Sequence, residues 1–309
     1  MSIVALDEST VAQAKLILAG AEAALKDAPH PANTPLDQTR TADRAGMQPR
    51  RDDAEDLGPL RVFRVPSPSG VYFHIHGGGW MMGDNDQQDQ RLRELADNCN
   101  VTVASVRYRL APEHPFPANA DDCEAAALWL LEHASSELGA NRFVIGGESA
   151  GAHLSAVTLL RLRDKDLLAN FVGANLVYGM YDLGLTNFLR NWGDRNLILN
   201  TEICAWSVEQ MTPGWTEAQR RGPDLSPMFA NVSGLPPALF TCGTDDPTLH
   251  DSLGMYERWQ ATNGNATLEI YPHGFHASNL FPSLMSDAWN QSIENFITAC
   301  VKGPVNASH

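Results

Sequence analysis

The sequence lacks long apolar runs and has few cations, and each shortage argues against a class of protein. No stretch of roughly 18 apolar residues occurs, and the first residues lack a cationic start followed by an apolar core. We therefore expect neither a membrane span nor a secretion signal. The 22 Lys and Arg residues stand against 37 Asp and Glu residues, with no basic run longer than two. This balance disfavours a nucleic-acid partner.

Cysteines are also few, and none falls in a C-x-x-C spacing. The five are Cys99, Cys123, Cys204, Cys242 and Cys300. A zinc site and a disulfide framework are both disfavoured, so we expect no bound metal and a location in the reducing cytoplasm.

Strands and helices alternate along most of the chain. Strands are predicted at Leu60–Val65, Val71–Ile75, Val101–Arg107, Arg142–Ile145, Ala174–Tyr178, Ala238–Cys242 and Thr267–Tyr271. Helices are predicted at Gln87–Asn98, Ala120–His133, Ala150–Arg163, Ser252–Thr262 and Ala288–Ala299. This order predicts an α/β fold with a mostly parallel sheet flanked by helices, and its functional residues should gather at the carboxyl ends of the strands.

Three segments depart from this alternation. Thr10–Lys26 has apolar residues at helical spacing, and Thr10 with Gln13 fits a capping box, so a helix is predicted there. The polar, proline-bearing residues Ala28–Pro59 are typical of an irregular connection, with room for a short second helix. Asp182–Pro223 interrupts the alternation in the second half of the chain.

Residues Gly147–Gly151 place Ser149 between glycines, directly after a predicted strand and before a predicted helix. In a G-x-S-x-G turn the small flanking residues permit a sharp bend that lifts the serine hydroxyl clear of the sheet. We therefore predict that Ser149 is a nucleophile.

Consecutive glycines follow the predicted strand Val71–Ile75, in the sequence His76–Trp80. Glycines let backbone N–H groups converge without interference from side chains. Such groups stabilise the oxyanion of a tetrahedral intermediate. The segment is therefore predicted to form an oxyanion loop.

Acids and histidines follow the last two predicted strands. Asp245 and Asp246 come directly after one strand, with Asp251 a little further on, and any of them could orient an imidazole. His273 and His276 follow the next strand, and either could act as general base. The order serine, acid, histidine is that of an α/β-hydrolase.

From about Val71 to Ala299 the sequence resembles the hormone-sensitive-lipase-like, or family IV, bacterial esterases of the α/β-hydrolase fold. The blocks that carry the resemblance are His76–Trp80, Tyr108–Ala118, Gly147–Gly151, Asp246–Pro247 and Tyr271–His276. The block Tyr108–Ala118 is the most specific of them, although the residues alone indicate only a proline-rich loop.

The resemblance implies a role for each site residue. Ser149 would be the nucleophile, Asp246 the acid because it precedes a proline, and His276 the base. His276 is preferred to His273 because it lies five residues beyond Tyr271, the usual distance in the family.

The resemblance also implies the oxyanion donors, which are the backbone N–H groups of Gly78, Gly79 and Ala150. Gly77 shapes the loop and stays a further candidate donor. Glu148 stands where many members carry Asp, and its role is left open.

A helical cap is implied as well, formed by residues 1–47 and an insertion at about 184–221 over a catalytic domain of residues 48–309. The implied activity is cofactor-independent hydrolysis of small, fairly apolar carboxylic esters through an acyl-enzyme. An amidase or formamidase with the same triad is the alternative, and a non-catalytic small-molecule receptor is a third reading. The family further implies a homodimer.

Overall fold

The computed structural model describes residues 2–46 and 49–303. The predicted boundary between cap and catalytic domain, at residues 47 and 48, lies outside the described residues. Nine strands in these ranges form one sheet, in the order β1-β9-β8-β7-β6-β4-β5-β3-β2. They are β1 Ser2–Ile3, β2 Glu55–Leu57, β3 Leu60–Phe63, β4 Val71–Ile75, β5 Thr102–Val106, β6 Phe143–Glu148, β7 Phe171–Val177, β8 Ala238–Asp245 and β9 Ala266–Phe275.

Ten α-helices are assigned within the same ranges. They are α1 Glu8–Leu25, α2 Leu36–Gly46, α3 Asp89–Cys99, α4 Ala118–Glu137, α5 Ala150–Arg163, α6 Asn187–Arg190, α7 Thr201–Met211, α8 Glu217–Arg220, α9 Leu249–Asn263 and α10 Leu284–Lys302. None of the helices in the described ranges combines the length and apolar character that a membrane span requires.

The sheet is parallel from β1 to β5 in spatial order, and only β3 and β2 add antiparallel pairs at one edge. All five residues of β4 are buried, as expected for a parallel strand covered on both faces. Helices α5 and α10 both pack on β6 and β7. The predicted α/β-hydrolase architecture is confirmed.

The sheet order brings the predicted functional turns together. Strand β4 is hydrogen-bonded to β6, and β8 to β9, with β7 between the two pairs. The carboxyl ends of β4, β6, β8 and β9 therefore lie along one edge, although their turns are up to about 200 residues apart in sequence.

The N-terminal helix differs from its prediction at the start. The capping box of Thr10 with Gln13 is wrong, because the cap is Asp7, whose carboxylate accepts a hydrogen bond from the Thr10 backbone N–H at 2.8 Å. Gln13 instead accepts from the backbone N–H of Leu284 at 2.8 Å. An aspartate at the N-cap also suits the positive end of the helix dipole.

Candidate active site

Ser149 occupies a sharp turn between β6 and α5, with φ +56° and ψ −118°. Residues other than glycine rarely adopt this backbone conformation, which costs about 1–3 kcal/mol. The flanking glycines are required by the packing, because a Cβ at Gly147 or at Gly151 would lie 1.9 Å from the carbonyl oxygen of Ile75. The turn predicted from the sequence is therefore present, and the side chain of Ser149 remains partly exposed.

His276 joins Ser149 to Asp246. Its Nε2 lies 2.9 Å from Ser149 Oγ, and its Nδ1 lies 2.9 Å from Asp246 Oδ2. Because a carboxylate only accepts hydrogen bonds, Nδ1 carries the proton and Nε2 is free to accept from the serine hydroxyl. Asp246 is fully buried, and its Oδ1 accepts from the backbone N–H and the hydroxyl of Thr248, both at 2.8 Å. The arrangement can move a proton away from Ser149.

The neighbouring aspartate is used differently. Asp245 accepts from the guanidinium of Arg195 at 2.8 Å and from the Thr244 hydroxyl at 2.9 Å. Arg195 also binds Glu22 of α1, at 2.7 Å from its Nε. The carboxylate of Asp245 thus faces Arg195 and makes no hydrogen bond to either catalytic histidine candidate.

Asp251 is also turned away from the serine. Its Oδ1 accepts from the backbone N–H groups of Tyr181 and Asp182 at 2.7 and 2.8 Å, and its Oδ2 lies 3.3 Å from the Thr186 hydroxyl. Burial raises the pKa of Asp251 to about 7, although the two N–H donors act in the opposite direction. The residue anchors the start of the segment 184–221.

His273 is likewise separated from Ser149. It lies at a bend in β9 with φ +62°, and its backbone N–H donates to the Thr244 hydroxyl at 2.8 Å. The structure therefore brings His276, and not His273, to the serine.

The predicted oxyanion loop follows β4. Gly78 and Gly79 have φ values of +107° and +58°, which glycine adopts at little cost. Within the described part of the chain, the backbone N–H groups of Gly78, Gly79 and Ala150 donate to no other group. A Cβ at Gly77 would lie 2.9 Å from the Glu148 carbonyl oxygen, so this glycine allows the close approach of the loop to the elbow.

The loop is anchored by residues whose role the sequence alone did not reveal. The Tyr108 hydroxyl donates to the His76 carbonyl at 2.9 Å, and the two rings stack with centroids 4.1 Å apart. Arg40 of α2 donates to the carbonyls of Met81 at 2.8 Å and Ala111 at 2.9 Å. Tyr108 lies in the block that only the family resemblance marked, and Arg40 carried no signal in its polar surroundings.

Glu148 points into a polar cluster beside the elbow. His74 Nε2 lies 3.0 Å from Glu148 Oε2, and Gln88 donates to the same oxygen at 3.2 Å. The other ring nitrogen of His74 lies 2.9 Å from Ser105 Oγ. Burial opposes ionisation of the carboxyl, but His74 and Gln88 outweigh it and hold the pKa of Glu148 below its usual value.

Residues of the segment 184–221 lie beside the oxyanion loop, His76–Trp80. A Cβ at Gly79 would be 3.4 Å from Ser207 Oγ of α7, and the Met211 carbonyl accepts from the Phe116 backbone N–H at 2.9 Å. Trp206 of α7 contacts His30 edge to face, with centroids 5.8 Å apart. The N-terminal segment and the insertion therefore contact each other near the oxyanion loop.

This geometry agrees with the comparison to known proteins. Residues 72–280 match a protein family described as having the alpha/beta hydrolase fold. The chain belongs to the alpha/beta hydrolase family. That membership accounts for the shared order of serine, acid and histidine along the sheet edge.

Named relatives in this family include two proteins of Mycobacterium tuberculosis. The carboxylic ester hydrolase LipN is 36% identical over 240 residues, which are 72% of this chain and 61% of LipN. The carboxylesterase NlhH is 35% identical over 240 residues, which are 70% of each chain. The crystal structure of a hormone-sensitive lipase from a metagenome library has a TM-score of 0.82 and 28% identity, covering 93% of this chain and 98% of that one. The predicted kinship with hormone-sensitive-lipase-like esterases is confirmed.

Proposed function

We propose that this chain is a serine carboxylesterase in which Ser149, His276 and Asp246 form the catalytic triad. The observation that carries the proposal is the continuous hydrogen-bonded chain from Ser149 Oγ through both ring nitrogens of His276 to a fully buried carboxylate. Relatives whose names state carboxylesterase or carboxylic ester hydrolase activity support the choice of esters.

In the acylation half-reaction, Ser149 Oγ attacks the ester carbonyl carbon as its proton passes to His276 Nε2. Asp246 stabilises the resulting imidazolium through Nδ1–H. The negative charge on the former carbonyl oxygen is stabilised by the N–H groups of Gly78, Gly79 and Ala150, which have no other acceptor within the described ranges. The C–O bond to the alcohol then breaks, and the leaving alkoxide takes the proton from His276.

In the deacylation half-reaction, water replaces the alcohol. His276 Nε2 takes a proton from the water as its oxygen attacks the acyl carbon, and the same donors stabilise the second oxyanion. Collapse of this intermediate breaks the bond to Ser149 Oγ, which recovers its proton from His276. The products are a carboxylic acid and the free enzyme.

The cap assignment belongs to the same proposal. We infer that the described residues up to Gly46, together with the segment 184–221, cover the substrate pocket, since Ser207 lies beside Gly79 of the oxyanion loop and the neighbouring Trp206 contacts His30. Small, fairly apolar esters are the expected substrates, and a homodimer remains a prediction from the family.

The decisive test replaces Ser149 with Ala. Turnover of p-nitrophenyl butyrate should fall by at least about 10³-fold in kcat/KM, since the triad acts as a unit. Ser135→Ala, at an exposed position of α4, is the matched control and should retain wild-type turnover. Comparable activity of both variants would contradict the proposal, and a higher kcat/KM on the matched anilide than on the ester would identify an amidase instead.

A further inference from the structure

Trp80 adopts an unfavourable backbone conformation at the end of the oxyanion loop. Three consecutive residues, Gly78, Gly79 and Trp80, have positive φ values of +107°, +58° and +62°. The two glycines do so freely, but a bulky side chain in this region is strained and persists only where its surroundings hold it. The loop therefore needs a contact that fixes Trp80.

His153 provides that contact. The indole Nε1–H of Trp80 donates to His153 Nδ1 at 3.1 Å, and the two rings meet edge to face with centroids 5.3 Å apart. Both side chains are buried, at 2% and 0% exposure. The backbone N–H of His153 donates to the Ser149 carbonyl at 3.1 Å, so one residue contacts the elbow and the oxyanion loop together.

The second ring nitrogen of His153 is also engaged. His153 Nε2 lies 2.7 Å from the carbonyl oxygen of Leu225, just beyond the segment 184–221. An indole N–H only donates and a carbonyl only accepts, so Nδ1 is bare and Nε2 carries the proton. Burial lowers the pKa of His153 to about 4, which keeps this neutral tautomer over the ordinary pH range. Neither nitrogen is left to act as a second base.

We propose that His153 is a positioning residue for the oxyanion hole. Its Nδ1 accepts the hydrogen bond that holds the strained Trp80, and this contact orients the N–H groups of Gly78 and Gly79. Its Nε2–H donates to the Leu225 carbonyl and so fixes the orientation of the imidazole ring. This inference rests on the proposed function and adds a residue to it. The donors of an oxyanion hole stabilise the transition state only when they are already in position. A variant in which the loop has shifted should therefore have a lower kcat without a matching loss of substrate affinity.

The test compares variants on p-nitrophenyl butyrate and on a trifluoromethyl ketone, which forms a tetrahedral oxyanion adduct on a catalytic serine. His153→Leu should lower kcat by about 10-fold or more, with KM changed less than about twofold, and should raise the ketone Ki by a factor similar to the loss in kcat/KM. His153→Asn places an acceptor near the position of Nδ1 and should restore most of the lost rate.

Trp80→Phe removes the donor from the other side of the same hydrogen bond. Its loss in kcat should resemble that of His153→Leu, and the double variant should show little further loss. Trp259→Phe is the matched control, because it removes a buried indole donor from the Pro236 carbonyl, 3.0 Å away, outside the described site. The control should lower the melting temperature yet keep the wild-type kcat and Ki.

Several results would overturn the inference. They are an unchanged kcat and ketone Ki in Trp80→Phe, an Asn variant as impaired as the Leu variant, and independent losses that multiply in the double variant. If His153→Leu does not fold, the comparison of Trp80→Phe with Trp259→Phe decides the question. An inactive wild-type enzyme would contradict the proposed function and this inference together, whereas an active wild type with unaffected variants would contradict the inference alone.

Discussion

The turns at the sheet edge and the segment 184–221 are held in different ways. In the turns, polar side chains are buried and pair with each other, with His276 4% exposed and Asp246 fully buried. In the segment, Arg195 is 40% exposed and binds Glu22 and Asp245 across the surface. Exposed ion pairs contribute about 0–1 kcal/mol each, whereas breaking a buried polar pair is costly. The edge can therefore hold fixed distances for chemistry, whereas the surface ion pairs of Arg195 tolerate change.

The sharpest test of this difference uses two neighbouring histidines, His273 near the end of β9 and His276 directly after it. His276→Ala should lower kcat by at least about 10³-fold, because it removes both the proposed general base and the link to Asp246. His273→Ala is the matched control and should change kcat less than about threefold. Steady-state kinetics on p-nitrophenyl butyrate measures both, and a larger loss from His273→Ala would reverse the assignment of the base.

The adjacent aspartates give the next largest contrast. Asp246→Asn should lower kcat by about 10²–10⁴-fold, since an amide favours the wrong imidazole tautomer and does not stabilise the imidazolium. Asp245→Asn should lower kcat by less than about threefold, because the ionic partner of Asp245 is Arg195 of the segment 184–221. Equal losses in kcat would show that the surface position acts on the chemistry too, and would remove the distinction drawn between the two regions.

The smallest expected effect concerns Asp251, whose buried carboxylate anchors the start of the segment 184–221. Burial raises its pKa from 3.8 to about 7 in the folded protein, so between these values the folded state holds the proton more tightly. Its contribution to stability therefore falls as pH rises from about 4 to about 7. Asp251→Asn cannot ionise, yet it retains an acceptor for the N–H groups of Tyr181 and Asp182.

The difference in melting temperature, Asp251→Asn minus wild type, should consequently increase by at least about 3 °C between pH 5 and pH 8. Asp182 is the nearby carboxylate that also raises the pKa of Asp251, and its own partner is Arg221. A difference in melting temperature that stays constant with pH would show that Asp251 does not titrate in this range.

The sheet edge could be predicted well from local pattern. The strand Val71–Ile75 and the helix Ala150–Arg163 have the bounds expected from apolar periodicity and from the glycine turn. Each motif turn lies next to a strand, and the parallel order of strands then determines that the turns meet. Local sequence rules are sufficient to predict a residue's role where that role depends only on the turn in which the residue lies.

The choice between neighbouring residues depends on contacts that are distant in sequence. Asp245 pairs with Arg195 across 50 positions, and His153 binds Leu225 across 72. No local pattern carries such information, which is why Asp245 and Asp246 could not be separated without the family resemblance. The short strands β1 and β2 were missed for a related reason, because two or three residues are too few to show an alternation.

The tight packing of the elbow has a consequence for protein engineering. Positions 147 and 151 accept no side chain beyond hydrogen, since a Cβ would collide with the Ile75 carbonyl. A saturation library at these positions would return mostly unfolded or inactive clones. Selection for new substrates is better directed to Ser207 of α7, whose hydroxyl would lie 3.4 Å from a Cβ at Gly79 of the oxyanion loop.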